Sequence, residues 1–383
     1  MPGENPFEQL SLAELRDRQS AKWRSYDDTV LPLWIAEMDV PLAEPVRDTI
    51  VDAAERGDTG YAMAEPYAAA LHEFAATRWM WSGLEVSRTR LVPDVMIGVT
   101  EVLRQITAPG STVVVNNPVY PPFYAFLRNL GREVREAPLT DNGRIDFDAL
   151  AAAFDAGPAA YLLCNPHNPT GTVHTRTELE RVAGLAEQHN VRVVADEIHA
   201  PLVLPGAEFT PYLSVADADR GFSLMSASKG WNLAGLKAAM AVAGPAAAAD
   251  LARIPEVVSH GASHLGVLAH TAALRDGGEW LDAVLEGLAN NRRLLTRLLA
   301  EYLPRVGWTP PEATCLAWLD CTALNLGHGA DPATRFLEQG DLALSPGPDF
   351  GTGGAGRVRL NFATSEAILT DAVQRMASVS QTG

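Results

Sequence analysis

The segment 226–237 combines side chains that could bind a phosphate group and react with a carbonyl carbon. Ser226 and Ser228 supply two hydroxyl groups, and Lys229 follows them with an amine. The apolar run 221–225 comes directly before them and predicts a buried strand that ends at the hydroxyl groups. A lysine held at such a strand end can form a Schiff base with a carbonyl compound. Taken alone, the same pattern also fits a strand end with a solvated lysine.

Two other polar segments also follow apolar runs that predict buried strands. Residues 165–169 (NPHNP) follow the run 159–164, and residues 196–199 (DEIH) follow the run 191–195. Apolar strands that alternate with helical stretches are typical of a mostly parallel sheet that is covered on both faces. Ligands of such sheets bind beyond the carboxyl ends of the strands. We therefore expect the NPHNP segment, the acid that follows and the lysine to lie at one edge of the sheet.

This order of motifs resembles the aspartate-aminotransferase-like fold of enzymes that use pyridoxal 5′-phosphate (PLP), and the resemblance covers most of the chain. Within that superfamily, residues 34–39 (WIAEMD), 165–169 and 196–199 are most similar to C–S lyases of the cystathionine β-lyase type. Ordinary aminotransferases of this class usually lack the histidine of NPHNP and carry tyrosine where His199 stands. The resemblance implies an α/β fold in which a mostly parallel sheet forms a three-layer α/β/α large domain, with a smaller α/β C-terminal domain.

The resemblance also implies roles for four residues around the cofactor ring. Lys229 would bind PLP covalently and, once the substrate amine displaces it, move the α-proton. A partly desolvated lysine near a cationic ring can reach the pKa that a general base needs. Asp196 would pair with the protonated pyridine nitrogen, and Asn168 would donate a hydrogen bond to the ring phenolate oxygen. Tyr120 would stack on the ring, although a core tyrosine fits the same position.

Two kinds of donor are expected to bind the phosphate of PLP. Ser226 and Ser228 would supply hydroxyl groups at the strand end. Val99 and Thr100, at the start of the helix predicted after Gly98, would supply backbone N–H groups that the helix dipole assists.

Lys237 and Tyr61 are the remaining candidates for the phosphate site. Many relatives carry an arginine eight residues after the catalytic lysine, where this chain has Lys237. A lysine can neutralise a phosphate but cannot form a bidentate pair with it, so the role of Lys237 stays open. Tyr61 matches the tyrosine that reaches the phosphate of the neighbouring subunit, which implies a homodimer with shared active sites.

Arg359 matches the arginine of an Arg-x-Asn motif that binds the α-carboxylate of the amino-acid substrate. Arg357 lies on the same strand face, so spacing alone does not choose between the two, and the motif favours Arg359. Trp34 is expected either at the pocket mouth or in the core. His199, which the resemblance places beside the cofactor, and His167 lack metal-ligand spacing, and no metal is expected. For each histidine a structural role is as compatible with the sequence as a catalytic one.

Composition and charge exclude several other classes of protein. The chain has 383 residues and a formal net charge of −17, so it lacks the basic stripe that binds nucleic acid. No apolar stretch reaches the ~18 residues of a membrane span, and the first ten residues lack the features of a signal peptide. The three cysteines show no CxxC spacing, which indicates free thiols and a cytoplasmic protein.

Three regions are predicted along the chain: an N-terminal arm (1–34) that packs with the small domain, a large PLP-binding domain (35–278), and a long connecting helix with the small C-terminal domain (279–383). A helix is predicted over 101–108. The glycine-rich segment 347–356 is interpreted as a mobile loop, because it lacks the G-x-G-x-x-G spacing of a nucleotide-binding turn. In the large domain, apolar runs predict strands at 95–97, 113–115, 161–163, 191–194, 222–225 and 238–242.

The predicted function is a PLP-dependent C–S β-lyase. It would cleave cystathionine or a cysteine S-conjugate by α,β-elimination to a thiol, pyruvate and ammonia. The alternative is an amino-acid aminotransferase, which uses the same lysine, aspartate and arginine but needs a keto-acid acceptor. A protein that used the fold only as a binding module would be expected to lack one of these three residues, and Lys229, Asp196 and Arg359 are all present.

Overall fold

The computed structural model describes residues 5–326 and 331–382. Its α-helices are α1 (Leu12–Arg16), α2 (Ala21–Arg24), α3 (Glu44–Glu55), α4 (Ala64–Arg78), α5 (Val95–Ile106), α6 (Pro122–Asn129), α7 (Phe147–Asp155), α8 (Arg176–Gln188), α9 (Ala248–Ala252), α10 (Glu256–Ser259), α11 (His264–Asp276), α12 (Gly278–Tyr302), α13 (Pro332–Gly340) and α14 (Glu366–Thr382). Its strands are β1 (Leu31–Pro32), β2 (Thr89–Val92), β3 (Thr112–Asn117), β4 (Glu133–Pro138), β5 (Ala160–Cys164), β6 (Arg192–Asp196), β7 (Phe222–Met225), β8 (Ala239–Ala243), β9 (Gly307–Trp308), β10 (Leu316–Asp320), β11 (Leu342–Ala343), β12 (Ser345–Pro346) and β13 (Arg357–Asn361).

A seven-stranded sheet with the order β2-β8-β7-β6-β5-β3-β4 forms the centre of the large region. The strands from β7 to β4 are parallel, and β8 is antiparallel to both of its neighbours. Alternate residues of β3 face opposite sides: Val113 and Val115 pack with α5 and α6, whereas Val114 packs with α7 and α8. Burial on both faces explains the continuous apolar runs. The predicted α/β architecture with a three-layer large domain is confirmed.

The C-terminal region is a smaller α/β unit. The helix α12 leads to an antiparallel sheet with the order β12-β13-β10-β9, against which α13 and α14 pack. The arm joins this unit, because β1 pairs in parallel with β11 through Leu31 and Leu342. The domain boundaries at residues 34 and 278 stay a prediction. No helix in residues 5–326 or 331–382 is long and apolar enough to cross a membrane.

The strand predicted at 95–97 is wrong, because these residues form the first turn of α5. The strand lies earlier, at β2, and Asp94 caps the helix by accepting a hydrogen bond from the N–H of Ile97 at 2.8 Å. A run of three apolar residues fits a buried strand and a buried helical turn equally well. Strand β4 was not predicted, because it alternates exposed and partly buried residues at the sheet edge and has no apolar run.

The glycine-rich segment 347–356 is packed against the large sheet, so its interpretation as a mobile loop is not supported. Two of its carbonyl oxygens accept hydrogen bonds from residues that end or follow β3. Val119 N donates to Phe350 O, and Asn117 Nδ2 donates to Thr352 O, both at 2.9 Å. A Cβ atom on Gly347 would lie 2.0 Å from the carbonyl oxygen of Gly354, which explains the need for glycine at this close approach.

Candidate active site

A pocket of about 320 Å³ lies beyond the carboxyl ends of β5, β6 and β7, where the sequence predicted a ligand site. Nine of the predicted site residues line it: Tyr120, Asn168, Asp196, His199, Ser226, Ser228, Lys229, Lys237 and Arg359. Four predicted residues lie outside the lining: Trp34, Tyr61, Val99 and Thr100. The edge of the sheet therefore gathers an amine, a carboxylate and a guanidinium group from segments far apart in the sequence.

Lys229 lies in a tight turn after β7 and is partly buried. Its Nζ donates a hydrogen bond to the carbonyl oxygen of Ala36 at 2.9 Å. Burial lowers the pKa of Lys229, with a smaller contribution from Arg359 and opposing ones from acidic groups. The turn is built by Ser226, whose hydroxyl donates to Ala238 O at 2.8 Å and accepts from Ser228 N at 3.2 Å. The lowered pKa increases the fraction of the amine that is unprotonated near neutral pH and can therefore accept a proton.

Asp196 ends β6 and is almost fully buried. Burial raises the pKa of its carboxyl group to about 7, while a hydrogen bond from Ile198 N at 3.1 Å and the charge of Lys229 oppose that rise. The carboxylate has no ion-pair partner in the described part of the chain. A cation that entered the pocket next to it would restore its charged form.

Arg359 and Asn168 are joined inside the pocket. The Arg359 Nη1 donates to Asn168 Oδ1 at 3.0 Å, and Nη2 donates to Trp34 O at 3.0 Å and to Ser345 Oγ at 3.1 Å. Burial lowers the pKa of Arg359 to about 10, so the guanidinium stays charged at neutral pH. Because Asn168 Oδ1 is occupied, its amide N–H groups remain for a ligand.

Arg357 points into a different cleft, so the structure separates the two arginines that strand spacing left open. Its Nη2 lies 2.9 Å from Asp320 Oδ2, and both side chains are partly exposed. Arg359 therefore faces the pocket that contains Lys229, whereas Arg357 does not.

The two candidate histidines differ in position. His199 lines the pocket, and its Nδ1 has no partner in the described residues. Burial lowers the pKa of His199 to about 3, and the charges of Lys229 and Arg359 add to this effect. His167 lies outside the pocket lining, where its Nε2 is 2.8 Å from Pro118 O and burial lowers its pKa to about 4. Both rings are therefore neutral, and His167 has a structural position in the loop that carries Asn168.

Tyr120 forms part of the pocket wall next to Phe123, with ring centroids 5.9 Å apart in an edge-on arrangement. Burial is the main cause that raises the pKa of the Tyr120 hydroxyl to about 12. The hydroxyl therefore stays protonated at neutral pH, and the ring offers a flat surface to a ligand.

The proposed backbone donors at Val99 and Thr100 rested on a helix that starts after Gly98, and that start is wrong. In α5, which begins at Val95, both residues lie beyond the first turn, where N–H groups pair with carbonyl groups one turn earlier. The N–H groups that a helix leaves unpaired are those of Val95 and Met96, and both residues line the pocket. Their signal in the sequence was the N-capping aspartate that precedes them.

Asp94, which caps this helix, also forms an ion pair with Lys237. Its Nζ lies 3.0 Å from Asp94 Oδ2, and the lysine side chain is 54% exposed at the pocket rim. Tyr61 is 86% exposed and lies outside the pocket, with its ring 6.0 Å from that of His260. Trp34 contributes its carbonyl oxygen to Arg359, and its ring packs edge-on against Tyr26 at 6.1 Å.

Two pocket contacts came from residues that carried no chemical signal in the sequence. Ala36 provides the carbonyl acceptor for Lys229 from almost 200 residues away in the chain. Cys164 lines the pocket, and its sulfur accepts a hydrogen bond from Asn168 N at 3.4 Å. Only the fold brings these groups to the site.

The pocket matches the three functional groups of PLP. The unpaired N–H groups of Val95 and Met96, with Lys237 beside them, suit the phosphate. Asp196, which is buried without an ion-pair partner in the described residues, suits the protonated ring nitrogen. Lys229 suits the aldehyde. The residues that are present therefore fit this cofactor.

Comparison with known proteins identifies the family. The family model "Aminotransferase class I and II" matches residues 82–376, and the chain belongs to this family. A "Putative cystathionine beta-lyase" of Mycobacterium tuberculosis is 56% identical over 397 residues, which cover 97% of this chain and 98% of the relative. The "Cystathionine beta-lyase PatB" of Bacillus subtilis is 32% identical and covers 94% of this chain and 96% of the relative.

A solved structure agrees with these relatives. It is described as a "putative plp-dependent beta-cystathionase" from Corynebacterium diphtheriae, with a TM-score of 0.92 and 34% identity, and it covers 97% of this chain and 98% of that chain. The predicted family, its fold and its dependence on PLP are confirmed. The roles of the individual site residues stay predictions.

Proposed function

We propose that this chain is a PLP-dependent C–S β-lyase, which cleaves cystathionine or a cysteine S-conjugate to a thiol, pyruvate and ammonia. The observation that carries the proposal is the convergence of Lys229, Asp196 and Arg359 on one pocket. The relatives named cystathionine beta-lyase support the choice of reaction.

Each residue has a distinct task in this reaction. Arg359 binds the α-carboxylate of the substrate in a desolvated position, where a charge-assisted pair is strong. Lys229 takes the α-proton, because its pKa is lowered and its amine is held by Ala36 O. When bound, PLP supplies the electron sink for the carbanion. Asp196 holds the positive charge of the ring nitrogen, and Tyr120 closes one side of the pocket.

The assembly belongs to the proposal as well. We expect a cytoplasmic homodimer in which Tyr61 reaches the pocket of the neighbouring subunit. Tyr61, Met63 and Val257 are 86%, 67% and 69% exposed on the described chain, as expected of apolar groups that a second copy covers. Mixing inactive Lys229→Ala chains with Tyr61→Phe chains tests the shared site, because a mixed dimer would contain one pocket with neither substitution. Activity that does not rise on mixing contradicts it.

The reaction is tested with cystathionine and no keto acid. The proposal expects many turnovers of thiol and pyruvate per enzyme molecule, and no turnover by Lys229→Ala. An aminotransferase would instead stop after one equivalent and resume when a keto acid is added. That second result would assign the alternative function to the same pocket.

A further inference from the structure

Two of the three lysines of the chain line the active-site pocket, and the third binds the segment 37–39, next to the backbone that contacts the pocket. The sequence contains 30 lysine and arginine residues. Only Lys22, Lys229 and Lys237 are lysines, and all the others are arginines. Lys229 and Lys237 line the pocket, whereas Lys22 is fully buried and lies outside its lining. A lysine in a chain that otherwise uses arginine indicates a place for a compact ammonium group.

Lys22 is bound to the segment 37–39. Its Nζ donates to Glu37 O at 3.0 Å and lies 2.8 Å from Asp39 Oδ2. Trp23 Nε1 donates to the other carboxylate oxygen of Asp39 at 3.2 Å. A buried ion pair has a high desolvation cost and often stabilises no more than a packed apolar pair, so its clearest contribution is the geometry that it fixes.

The segment 34–39 connects this ion pair to both cations that face the substrate. Lys229 Nζ donates to Ala36 O at 2.9 Å, and Arg359 Nη2 donates to Trp34 O at 3.0 Å. The position of this short backbone stretch therefore sets the direction of the Lys229 amine.

Asparagine side chains hold the same segment as well, and one of them shares the acceptor Glu37 O with Lys22. Asn361 Nδ2 donates to Ile35 O at 2.8 Å and to Glu37 O at 2.7 Å, and Asn232 Nδ2 donates to Met38 O at 3.0 Å. The arm binds the segment through Lys22 and also through Ser20, which donates to the Glu37 carboxylate, and Arg18, which donates to Met38 O.

We propose that Lys22 is a positioning residue for Lys229, because it holds Glu37 O and Asp39 and thereby fixes the Ala36 carbonyl that accepts from the Lys229 amine. The proposal rests on the proposed function, in which Lys229 is the reactive amine. Arg359 keeps Asn168 as a partner when the segment shifts, so substrate binding is retained. The loss therefore falls on kcat more than on KM.

The test uses the PLP-loaded enzyme with cystathionine. Lys22→Met combined with Asp39→Leu removes both buried charges, so the double variant is expected to unfold cooperatively near the wild-type temperature. Its kcat falls about tenfold or more, since small misplacements of reacting groups are costly, while KM changes less than about threefold. The pH midpoint of the visible absorbance of the bound cofactor also shifts, because the Lys229 nitrogen has lost its fixed acceptor.

Two variants complete the test. Lys22→Arg keeps the charge but not the compact head, and its kcat is expected to fall about threefold or more with the fold intact. Arg375→Met is the matched control: Arg375 also holds the arm, through Thr29 O at 3.2 Å, but lies away from the pocket. It should lower the unfolding temperature and leave kcat unchanged.

A double variant with wild-type kcat and a wild-type absorbance midpoint would overturn the positioning role. A fall of kcat in Arg375→Met equal to that in the double variant would also overturn it, since any weakening of the arm would then suffice. A wild-type enzyme with no visible absorbance band from PLP would contradict the proposed function itself, and this inference with it.

Discussion

The guanidinium Nη1 of Arg359 lies 3.0 Å from the side-chain oxygen of Asn168. This bond joins the small C-terminal region, which carries Arg359 on β13, to the loop that follows β5 in the large region. The bond occupies the side-chain oxygen of Asn168 and leaves its amide hydrogens for the proposed contact with the cofactor. In the roles proposed for these two residues, substrate binding and cofactor orientation would depend on one shared contact.

Replacement of Arg359 by glutamine should raise KM for cystathionine by about 10²- to 10³-fold, because it removes a buried charge from a charge-assisted pair. The matched control is Arg357→Gln. Its partly exposed pair with Asp320 is worth about 1 kcal/mol or less, and KM should change less than about threefold. Steady-state kinetics on both variants decide the assignment, and a larger effect of Arg357→Gln would reverse it.

The stability of the protein without PLP should depend on pH through Asp196. Its folded pKa of about 7 lies above the ordinary value of 3.8, so the folded protein holds a proton there that the unfolded chain releases. The bound proton therefore stabilises the folded state fully below about pH 4. This contribution to the free energy of unfolding is lost as pH rises through 7, and the total loss is about 4 kcal/mol at most.

Urea unfolding at pH 5 and pH 8 measures this effect. Asp196→Asn should reduce the difference in the free energy of unfolding between the two pH values. Part of the difference should remain, because burial also raises the pKa of the neighbouring Glu197, to about 8. Addition of PLP to the wild-type protein should also reduce the slope, since the ring nitrogen supplies a cation. An unchanged slope in Asp196→Asn would show that this carboxyl group is not the source.

Lys237 should contribute to phosphate binding despite its pair with Asp94. Lys237→Met is expected to weaken PLP binding about two- to fivefold, the effect of losing one partly exposed ionic contact worth up to about 1 kcal/mol. Lys237→Arg should bind PLP at least as tightly as the wild type, because a guanidinium can form a bidentate pair with a phosphate. Equilibrium dialysis measures the Kd of each variant, and an unchanged Kd for Lys237→Met would remove Lys237 from the site.

Glu312 should hold the loop that carries Asn168. Its carboxylate accepts hydrogen bonds from Val173 N at 2.8 Å and from Arg144 Nη2 at 2.6 Å. Glu312→Ala leaves both donors without this partner and should lower the free energy of unfolding by about 1–3 kcal/mol. It should also weaken PLP binding, because the loop gains freedom near the cofactor.

The matched control for this variant is Glu178→Ala, which removes the other carboxylate beside Arg144 and the capping box of α8. It should reduce stability to a similar extent with an unchanged Kd for PLP. Equal losses of PLP affinity in the two variants would show that general stability, and not the loop, controls cofactor binding.

The sequence was sufficient for the fold and for most of the pocket because its motifs follow strands that are buried on both faces. Asp196 and Ser226 could be placed at one sheet edge from the apolar runs before them, and they lie there. The helix start at Val95 was missed because three apolar residues fit strand and helix alike, and the capping role of Asp94 decided the outcome.

Other parts of the site follow only from long-range packing. The carbonyl of Ala36 reaches Lys229 across 193 positions, and no local pattern marks a backbone oxygen as part of a site. Lys22 was predicted only as part of an arm, because its ion pair with Asp39 depends on the path of the segment between them. Motifs predict side-chain chemistry, whereas the backbone groups that orient it appear only with the fold.

The central claim is that Lys229 carries the covalent bond to PLP. Borohydride reduction of the yellow enzyme, followed by peptide mass mapping, tests this directly, since the chain offers only three lysine side chains. The account predicts that the mass of the reduced cofactor appears on the peptide that contains Lys229. The account would be contradicted if this mass appeared on the peptide that contains Lys22 or Lys237. It would also be contradicted if none of the three lysine peptides carried the mass.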